Sequence, residues 1–361
     1  MCLKITVNST FDYFAYYLNY GSVLQAYALQ KYLIQRGHTV DLIQDYRTNK
    51  RALVEEKRNV GFRESYEQKR KAQKSLIAFA KKYIHLTSMP YYSGKQFKLF
   101  PPKADCHIVG SDQVWQGEAP FRYLNYVPED KVKLSYAASF GKNYISKDME
   151  DKIKPFLMRF DGISVREQTG VSIINNMGLQ GIQSIDPTLL IEVEDYPVKQ
   201  TEEMKNIALC YFLNLSGKND VPYQQFKAVC KKKGWQTKMI VPLNYMHFTG
   251  EELYFPTVEE WLGSYSQAKA VITNTFHGMM FCIIFRKQFL LCIQNGNNVQ
   301  ENDRFFTVLN LFGLMERVIT PDISEEELEQ RLEAPIDYAL VYESIQKKRE
   351  ETDLYFKKYG I

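Results

Sequence analysis

The residues best suited to chemistry lie between positions 270 and 281. An apolar strand ends there in a polar turn, Thr273-Asn274-Thr275, and a helix begins beside His277. A strand that enters a helix in this way leaves free backbone N–H groups at the helix N-terminus, where they favour an anion. An imidazole at that position can also move a proton near neutral pH. The turn predicts a site that holds phosphate or carboxylate, although a histidine that only caps its helix would have the same sequence.

Four more polar turns flank inferred core strands, at residues 19–22, 110–113, 139–141 and 166–167. In parallel sheets, ligands bind outside the carboxyl ends of the strands, so these turns are further candidates. Arg166 is suited to a carboxylate because a guanidinium can bind both oxygens of that group. A surface arginine paired with Glu167 or Asp161 is the alternative.

Several of these turn residues are suited to binding a sugar. Ser111, Asp112 and Gln113 can hydrogen-bond sugar hydroxyls, and Trp115 can stack on a sugar face. A capping role for Asp112 and a core position for Trp115 are the alternatives. Asn19 and Gly21 indicate a tight turn where backbone approaches a ligand closely, or simply the start of a helix.

The order of elements predicts an α/β protein. A strand at 3–7, a helix at 22–35 and a strand at 39–43 form a βαβ unit, which implies a parallel sheet. Further strands are predicted at 106–110, 133–138 and 162–166, before a polar linker at 192–206. A second βα series follows from residue 207. We therefore expect two Rossmann-like domains, 1–195 and 196–361, facing across a cleft and crossed by a terminal helix.

Composition is typical of a soluble globular protein. The 361 residues are 45% hydrophobic and 24% charged, and no apolar run approaches the ~20 residues that span a bilayer. The N-terminus resembles a core strand and not a signal peptide, so a cytoplasmic location is expected. The six cysteines form no C-x-x-C pair, which favours buried free thiols over a metal or redox site.

The net charge of +4 is unevenly distributed. Residues 50–103 contain 14 Lys and Arg against 4 Asp and Glu, a local excess of +10, so the rest of the chain carries −6. A solvated helix face, a surface for acidic glycolipid or membrane headgroups, and a nucleic-acid surface all fit such a block. Nucleic acid is the least favoured of the three because no binding motif accompanies the charge.

Six motifs give the chain a family resemblance. They occupy residues 19–30, 109–115, 135–141, 163–167, 186–190 and 275–278. In this order, they resemble the polysaccharide pyruvyl transferase family. The resemblance implies a fold like the GT-B glycosyltransferases. It also implies transfer of pyruvate from phosphoenolpyruvate to a sugar of a bacterial surface polysaccharide. We expect no cofactor beyond this co-substrate, and no metal, because the sequence has no metal-site signature.

The family's functional residues carry over in part. Arg166 matches the arginine after the Ile-Ser-Val strand, and His277 matches the histidine of the Thr-x-His-Gly motif, so both are expected to be catalytic. Thr275 stands where some members carry a basic residue, and Arg286, Lys287 or Arg304 are candidates to replace that charge. The expected donor-binding set is Arg166, Thr275, His277, Gly278 and Arg304. The expected acceptor-binding set is Asn19, Gly21, Ser111, Asp112, Gln113 and Trp115.

We expect the acceptor to bind on the N-terminal domain and phosphoenolpyruvate on the C-terminal domain. Two other functions fit the same features: a nucleotide-sugar-dependent GT-B glycosyltransferase and a non-catalytic glycan-binding member of the fold. The sequence has no P-loop, H-E-x-x-H or G-x-S-x-G motif. The expected partners are phosphoenolpyruvate and a glycan acceptor but not nucleic acid, and peripheral contact with a membrane-borne glycolipid at the inner membrane face stays open.

Overall fold

The computed structural model describes residues 2–10, 19–45, 63–215, 217–240, 253–293 and 302–361. Its first unit contains a parallel sheet in the order β2-β1-β3-β4. The strands are β1 (Lys4–Asn8), β2 (Thr39–Leu42), β3 (Cys106–Val109) and β4 (Val132–Ser135), extended by the short pair β5 (Ser164–Val165) and β6 (Ile182–Gln183). The helices are α1 (Tyr20–Gln35), α2 (Arg63–Tyr83), α3 (Gly94–Leu99), α4 (Lys147–Leu157) and α5 (Gln168–Asn176).

The second unit contains a parallel sheet in the order β11-β10-β9-β7-β8. Its strands are β7 (Ile207–Tyr211), β8 (Gln236–Ile240), β9 (Val271–Thr273), β10 (Phe289–Cys292) and β11 (Val318–Ile319). Its helices are α6 (Tyr223–Lys232), α7 (Val258–Gln267), α8 (Phe276–Ile284), α9 (Asp303–Phe312), α10 (Glu325–Glu333) and α11 (Tyr338–Lys358). Two parallel sheets joined through helices agree with the expected α/β class.

The two units share one apolar core where α1 meets α7 and α8. The Tyr20 ring stacks on the Trp261 ring with centroids 5.3 Å apart, and the Tyr20 hydroxyl donates to the carbonyl of Pro256 at 2.8 Å. Aromatic burial of this kind stabilises a junction strongly. The packing fixes the N-terminus of α1, which follows β1, near the N-terminus of α8, which follows β9.

Helix α11 crosses between the two units. Near its start, the Tyr342 hydroxyl donates to the carbonyl of Ile284 at 2.9 Å in the second unit. Near its end, the Tyr355 hydroxyl donates to the carbonyl of Ser135 at 2.8 Å in the first unit. This helix, which the sequence assigned to the C-terminal domain and expected to cross between the domains, therefore contacts both units.

The basic segment is largely helical where it is described. Helix α2 buries Ala72, Leu76, Phe79 and Ala80 and exposes lysines, as an amphipathic helix does; residues 50–62 lie outside the described residues. No helix in the described ranges is long and apolar enough to cross a bilayer. Cys106, Cys210, Cys230, Cys282 and Cys292 are buried free thiols, whereas Cys2 is exposed.

Helix α11 also holds the turn at Asp186 in place. The Arg349 guanidinium donates to the carbonyls of Leu189 at 2.6 Å and Ile191 at 2.8 Å. On the other side of the turn, the Tyr136 hydroxyl donates to the carbonyl of Ile185 at 3.1 Å.

We expect Arg349→Ala to lower the free energy of unfolding by about 2 kcal/mol, because charge-assisted hydrogen bonds to two buried carbonyls are lost. Urea denaturation checks this, with Lys347→Ala as the control. Lys347 is exposed on the same helix, and its replacement should leave the midpoint unchanged. Equal midpoints for the two variants would contradict the assigned role of Arg349.

Candidate active site

The centre of the site is Asp186, a carboxylate that is only 1% exposed. Its Oδ1 accepts hydrogen bonds from the amide (3.0 Å) and the hydroxyl (2.8 Å) of Thr188. Its Oδ2 accepts from the Ser111 hydroxyl at 3.1 Å and from Arg166 Nη1 at 3.2 Å. Burial alone would raise the pKa of Asp186, but the neighbouring His277 and Arg166 and the Thr188 amide hold it well below its usual range. Asp186 is therefore an ionised carboxylate inside the protein.

His277 approaches Asp186 from the second unit. It lies in the first turn of α8, which Thr275 caps by accepting a hydrogen bond from the amide of Gly278 at 2.9 Å. His277 Nε2 is 3.7 Å from Asp186 Oδ2, and the residue is 8% exposed. Among the described residues, Nε2 has no hydrogen-bond partner. The imidazole is thus held beside a negative charge with one nitrogen free.

Arg166 approaches the same carboxylate from the end of β5. Its Nε donates to Glu167 Oε1 at 2.9 Å, and its Nη1 lies 3.9 Å from Asp112 Oδ1. The guanidinium also lies 4.1 Å from the centre of the Phe276 ring. Burial opposes the charge, but Glu167, Asp186 and Asp112 outweigh it and raise the pKa of Arg166 above its usual value. Nη2 has no hydrogen-bond partner in the described part of the chain.

The charge balance around Arg166 is negative. One guanidinium, only 2% exposed, faces three carboxylates. The sequence predicted an arginine whose charge is available to an incoming carboxylate. In the structure, most of that charge is compensated by protein groups, and Nη2 is a donor that no described residue uses.

Several helix N-termini offset this negative charge. Helices α1 and α8 meet so closely that a Cβ built on Gly21 would lie 2.1 Å from His277 Nδ1. Helices α5 and α9 also meet near their starts, where the Thr169 hydroxyl donates to Asp303 Oδ2 at 2.6 Å. Because a helix N-terminus carries partial positive charge, these helix starts favour buried anions and an anionic ligand alike.

Most of the predicted acceptor-binding residues already have protein partners. Ser111 is fully buried and bonds to Asp186. Asn19 caps α1 by accepting from the amide of Ser22 at 3.1 Å. The Gln113 side chain packs against Gly141, although its Nε2 has no hydrogen-bond partner among the described residues. Asp112 faces Arg166, but its side chain is still 14% exposed.

Trp115 corrects one prediction. Its ring is fully buried and stacks on Tyr123 with centroids 5.6 Å apart, and its Nε1 donates to the carbonyl of Arg122 at 3.0 Å. No ring face is open to a sugar, so the alternative of a core tryptophan applies. An aromatic residue beside a turn does not reveal from sequence whether it points inward.

The candidates to supply positive charge where this chain has Thr275 lie at different ends of the second unit. Arg286 and Lys287 follow the C-terminal end of α8, about 15 Å along the helix from His277. Arg304 lies in the first turn of α9, and its neighbour Phe305 lies 6.3 Å from Phe276. Of the three, Arg304 is therefore the one near Arg166 and His277.

A cavity of about 600 Å³ opens at the carboxyl end of the first sheet. It is lined by Gln116, Glu118, Lys142, Tyr144 and Met149, among others. It adjoins the contact between Gln113 and Gly141. Apart from Met149 in α4, these residues lie in loops, and no sequence motif marks them.

Asp186 itself was also missed as a site residue. In the sequence it was only part of the motif at 186–190. An acid before Pro-Thr at the end of an apolar run is a detectable signal, because such a side chain often caps the following turn. In the described ranges, no cluster of three or more His, Cys, Asp or Glu side chains is arranged to hold a metal ion.

Comparison with known proteins identifies the family. The sequence model of the polysaccharide pyruvyl transferase family matches residues 19–297, so the chain belongs to the polysaccharide pyruvyl transferase family. No curated protein matches it by sequence.

Solved structures share its fold. An S. aureus MnaA–UDP structure is similar at a TM-score of 0.55 and 11% identity, over 99% of this chain and 97% of that one. A putative UDP-N-acetylglucosamine 2-epimerase from Listeria monocytogenes gives 0.51 and 9%, over 97% and 91%. The corresponding Rickettsia bellii enzyme gives 0.50 and 11%, over 99% and 98%. At such identities the likeness concerns the fold, and it confirms the expected GT-B-like architecture of two Rossmann-like domains.

We expect Gly21→Ala to destabilise the protein and to displace His277, because no space exists for a Cβ between α1 and α8. Urea denaturation and turnover of the variant test this. Gly94→Ala is the matched control, since a Cβ there meets only Phe121 at 3.7 Å and alanine favours a helix over glycine. Parallel behaviour of the two variants would refute the close contact.

We expect Asp186→Asn to lower the free energy of unfolding by about 3 kcal/mol at neutral pH, because Arg166 loses a buried partner. The pKa of Asp186 is depressed in the folded state, so its contribution is present above the unfolded pKa and is lost as pH falls. The difference in the free energy of unfolding between wild type and variant should therefore become smaller below about pH 4. Urea denaturation over a pH series measures it, with exposed Asp130→Asn as control; a pH-independent difference would contradict an ionised Asp186.

Proposed function

We propose that this protein transfers pyruvate from phosphoenolpyruvate to a sugar of a bacterial surface polysaccharide or its precursor, forming a ketal. Membership of the pyruvyl transferase family supports the reaction class. The observation that carries the proposal concerns two buried polar atoms, Arg166 Nη2 and His277 Nε2, which have no hydrogen-bond partner among the described residues. Both side chains converge on Asp186 Oδ2. Buried polar atoms are normally hydrogen-bonded, so an unpaired set at one point suggests a ligand.

Asp186 has a positioning role in this proposal. Its carboxylate orients the imidazole and stabilises positive charge on it while a proton is transferred. Arg166 keeps Asp186 ionised and offers one N–H to an oxygen of the substrate. This differs from a two-point grip on the substrate carboxylate, because Glu167 and Asp186 already occupy Nε and Nη1.

Phosphoenolpyruvate carries about three negative charges, more than Arg166 can balance here. We assign the additional stabilisation to protonated His277, to Arg304 and to the backbone N–H groups at the start of α8. Because the Thr275 hydroxyl already caps Gly278, the free amides near it are better suited to phosphate than the hydroxyl is. The donor is thereby placed against the second unit.

The acceptor is assigned to the first unit. Asp112 is partly exposed beside Arg166, and the 600 Å³ cavity continues along the same edge of the sheet. Glu118 and Gln116 supply acceptors and donors for sugar hydroxyls there, and Tyr144 offers an exposed ring. We place the reaction in the cytoplasm, where a membrane-borne glycan precursor presents such an acceptor.

The reaction proceeds in balanced steps. Protonated His277 donates a proton to C3, which becomes a methyl group, and C2 becomes electrophilic. One sugar hydroxyl bonds to C2 and returns its proton to the imidazole. The bond between C2 and the phosphate oxygen breaks, a second hydroxyl bonds to C2, and its proton is taken up by the departing phosphate. The products are a carboxyethylidene ketal and inorganic phosphate.

We expect His277→Ala and Arg166→Ala each to lower the rate of phosphate release at least ~100-fold, given usual contributions of acid–base and charge-stabilising groups. A coupled phosphate assay with phosphoenolpyruvate and an acceptor sugar measures this. His85→Ala is the control, because His85 is exposed outside the site. Wild-type rates in both site variants would remove the assignment.

Thermal-shift measurements distinguish the donor. Phosphoenolpyruvate should raise the melting temperature of the wild type, because a ligand bound only by the folded state stabilises it. A shift with nucleotide sugars instead would identify a glycosyltransferase, and no shift with either ligand would favour a glycan-binding protein without catalysis.

A further inference from the structure

Exposed apolar side chains cluster at one place on the first unit. Among the described residues, nine large hydrophobic side chains are strongly exposed, and three of them fall between positions 92 and 100. They are Tyr92 (58%), Leu99 (70%) and Phe100 (58%). Single exposed apolar residues are ordinary, whereas a cluster indicates an interaction surface.

The fold holds this cluster outward. Phe97, on the inner side of α3, is fully buried and stacks on Tyr91 at 4.2 Å and on Phe121 at 5.1 Å between ring centroids. The Tyr91 hydroxyl donates to the carbonyl of Phe100 at 2.8 Å. With α3 anchored on its inner side, Leu99 and Phe100 are exposed by the architecture.

Lysines surround the apolar cluster. Lys95, Lys98 and Lys103 are exposed, no acidic residue lies between 92 and 103, and none of the three lysines pairs with a carboxylate in the described part of the chain. Protein–protein interfaces are depleted in lysine. Bilayers with anionic lipids, in contrast, attract apolar side chains flanked by lysines.

We infer that the 92–103 surface, formed by Tyr92, Lys95, Lys98, Leu99, Phe100 and Lys103, docks the protein onto an anionic phospholipid membrane. Its apolar side chains enter the headgroup region, and its lysines contact lipid phosphates. No covalent step is involved.

The position of this surface suits a membrane-borne substrate. The amide of Tyr91 donates to the carbonyl of Gln44 at 2.8 Å, just beyond the carboxyl end of β2. The surface therefore lies at the same end of the first sheet as Ser111 and the cavity at 116–149. This point rests on the proposed function: docking would bring a lipid-linked glycan to the edge of the sheet where the acceptor is bound.

Vesicle co-sedimentation of the full chain tests the inference. Wild type should bind vesicles of equal parts phosphatidylglycerol and phosphatidylcholine, and bind pure phosphatidylcholine at least ~10-fold more weakly. Leu99→Ser/Phe100→Ser and Lys95→Glu/Lys98→Glu should each weaken binding to the anionic vesicles at least ~10-fold.

Matched controls come from α11. Leu340→Ser/Leu354→Ser changes two equally exposed leucines, and Lys347→Glu/Lys357→Glu reverses two exposed lysines; neither should alter binding. The inference would be overturned if wild type failed to bind anionic vesicles or bound neutral vesicles equally well. It would also be overturned if the control variants lost as much vesicle binding as the surface variants. Phosphate release with a soluble acceptor should be the same in all four variants, so a failure here is distinct from a failure of the proposed reaction.

Discussion

The buried, ionised carboxylate of Asp186 is the constraint on which the rest of the structure depends. An isolated carboxylate inside a protein is very costly, so it requires donors and positive charge on every side. Thr188 supplies the donors locally, Ser111 and Arg166 supply them from the ends of β3 and β5, and His277 approaches from the second unit. The groups that compensate the charge of Asp186 thus bring together strand ends from both halves of the molecule.

This constraint also determines what the site can do. Arg166 was expected to act as a cation for the substrate, yet three carboxylates share its charge. For the anionic substrate proposed here, binding energy must then come from further groups, such as the backbone N–H groups at the starts of helices. This arrangement suits an imidazole that transfers a proton beside a fixed negative charge. It is less suited to a site that holds an anion by electrostatic attraction alone.

The sequence predicted the main elements because their patterns are local. The βαβ unit, the turn before His277 and the helix that follows it all depend on apolar spacing and capping residues within a few positions. The meeting of Arg166 and His277 was also anticipated, since both follow parallel strands. No local pattern shows whether a side chain within a turn points into the protein or towards solvent. Ser111 and Trp115 could therefore not be assigned to the interior, and the need for glycine at position 21 depends on a histidine more than two hundred residues away.

The continuous core limits how substrates reach this centre. A wide opening between the units would separate Tyr20 from Trp261 and break the contacts of α11 with both units. Arg166, Asp186 and His277 are almost fully covered. Asp112 is the most accessible member of the group, and its positive φ of 70° is uncommon for a residue with a Cβ. Uncommon backbone of this kind concentrates at functional sites, and at the partly exposed Asp112 side chain this group meets solvent without any change in the shared core.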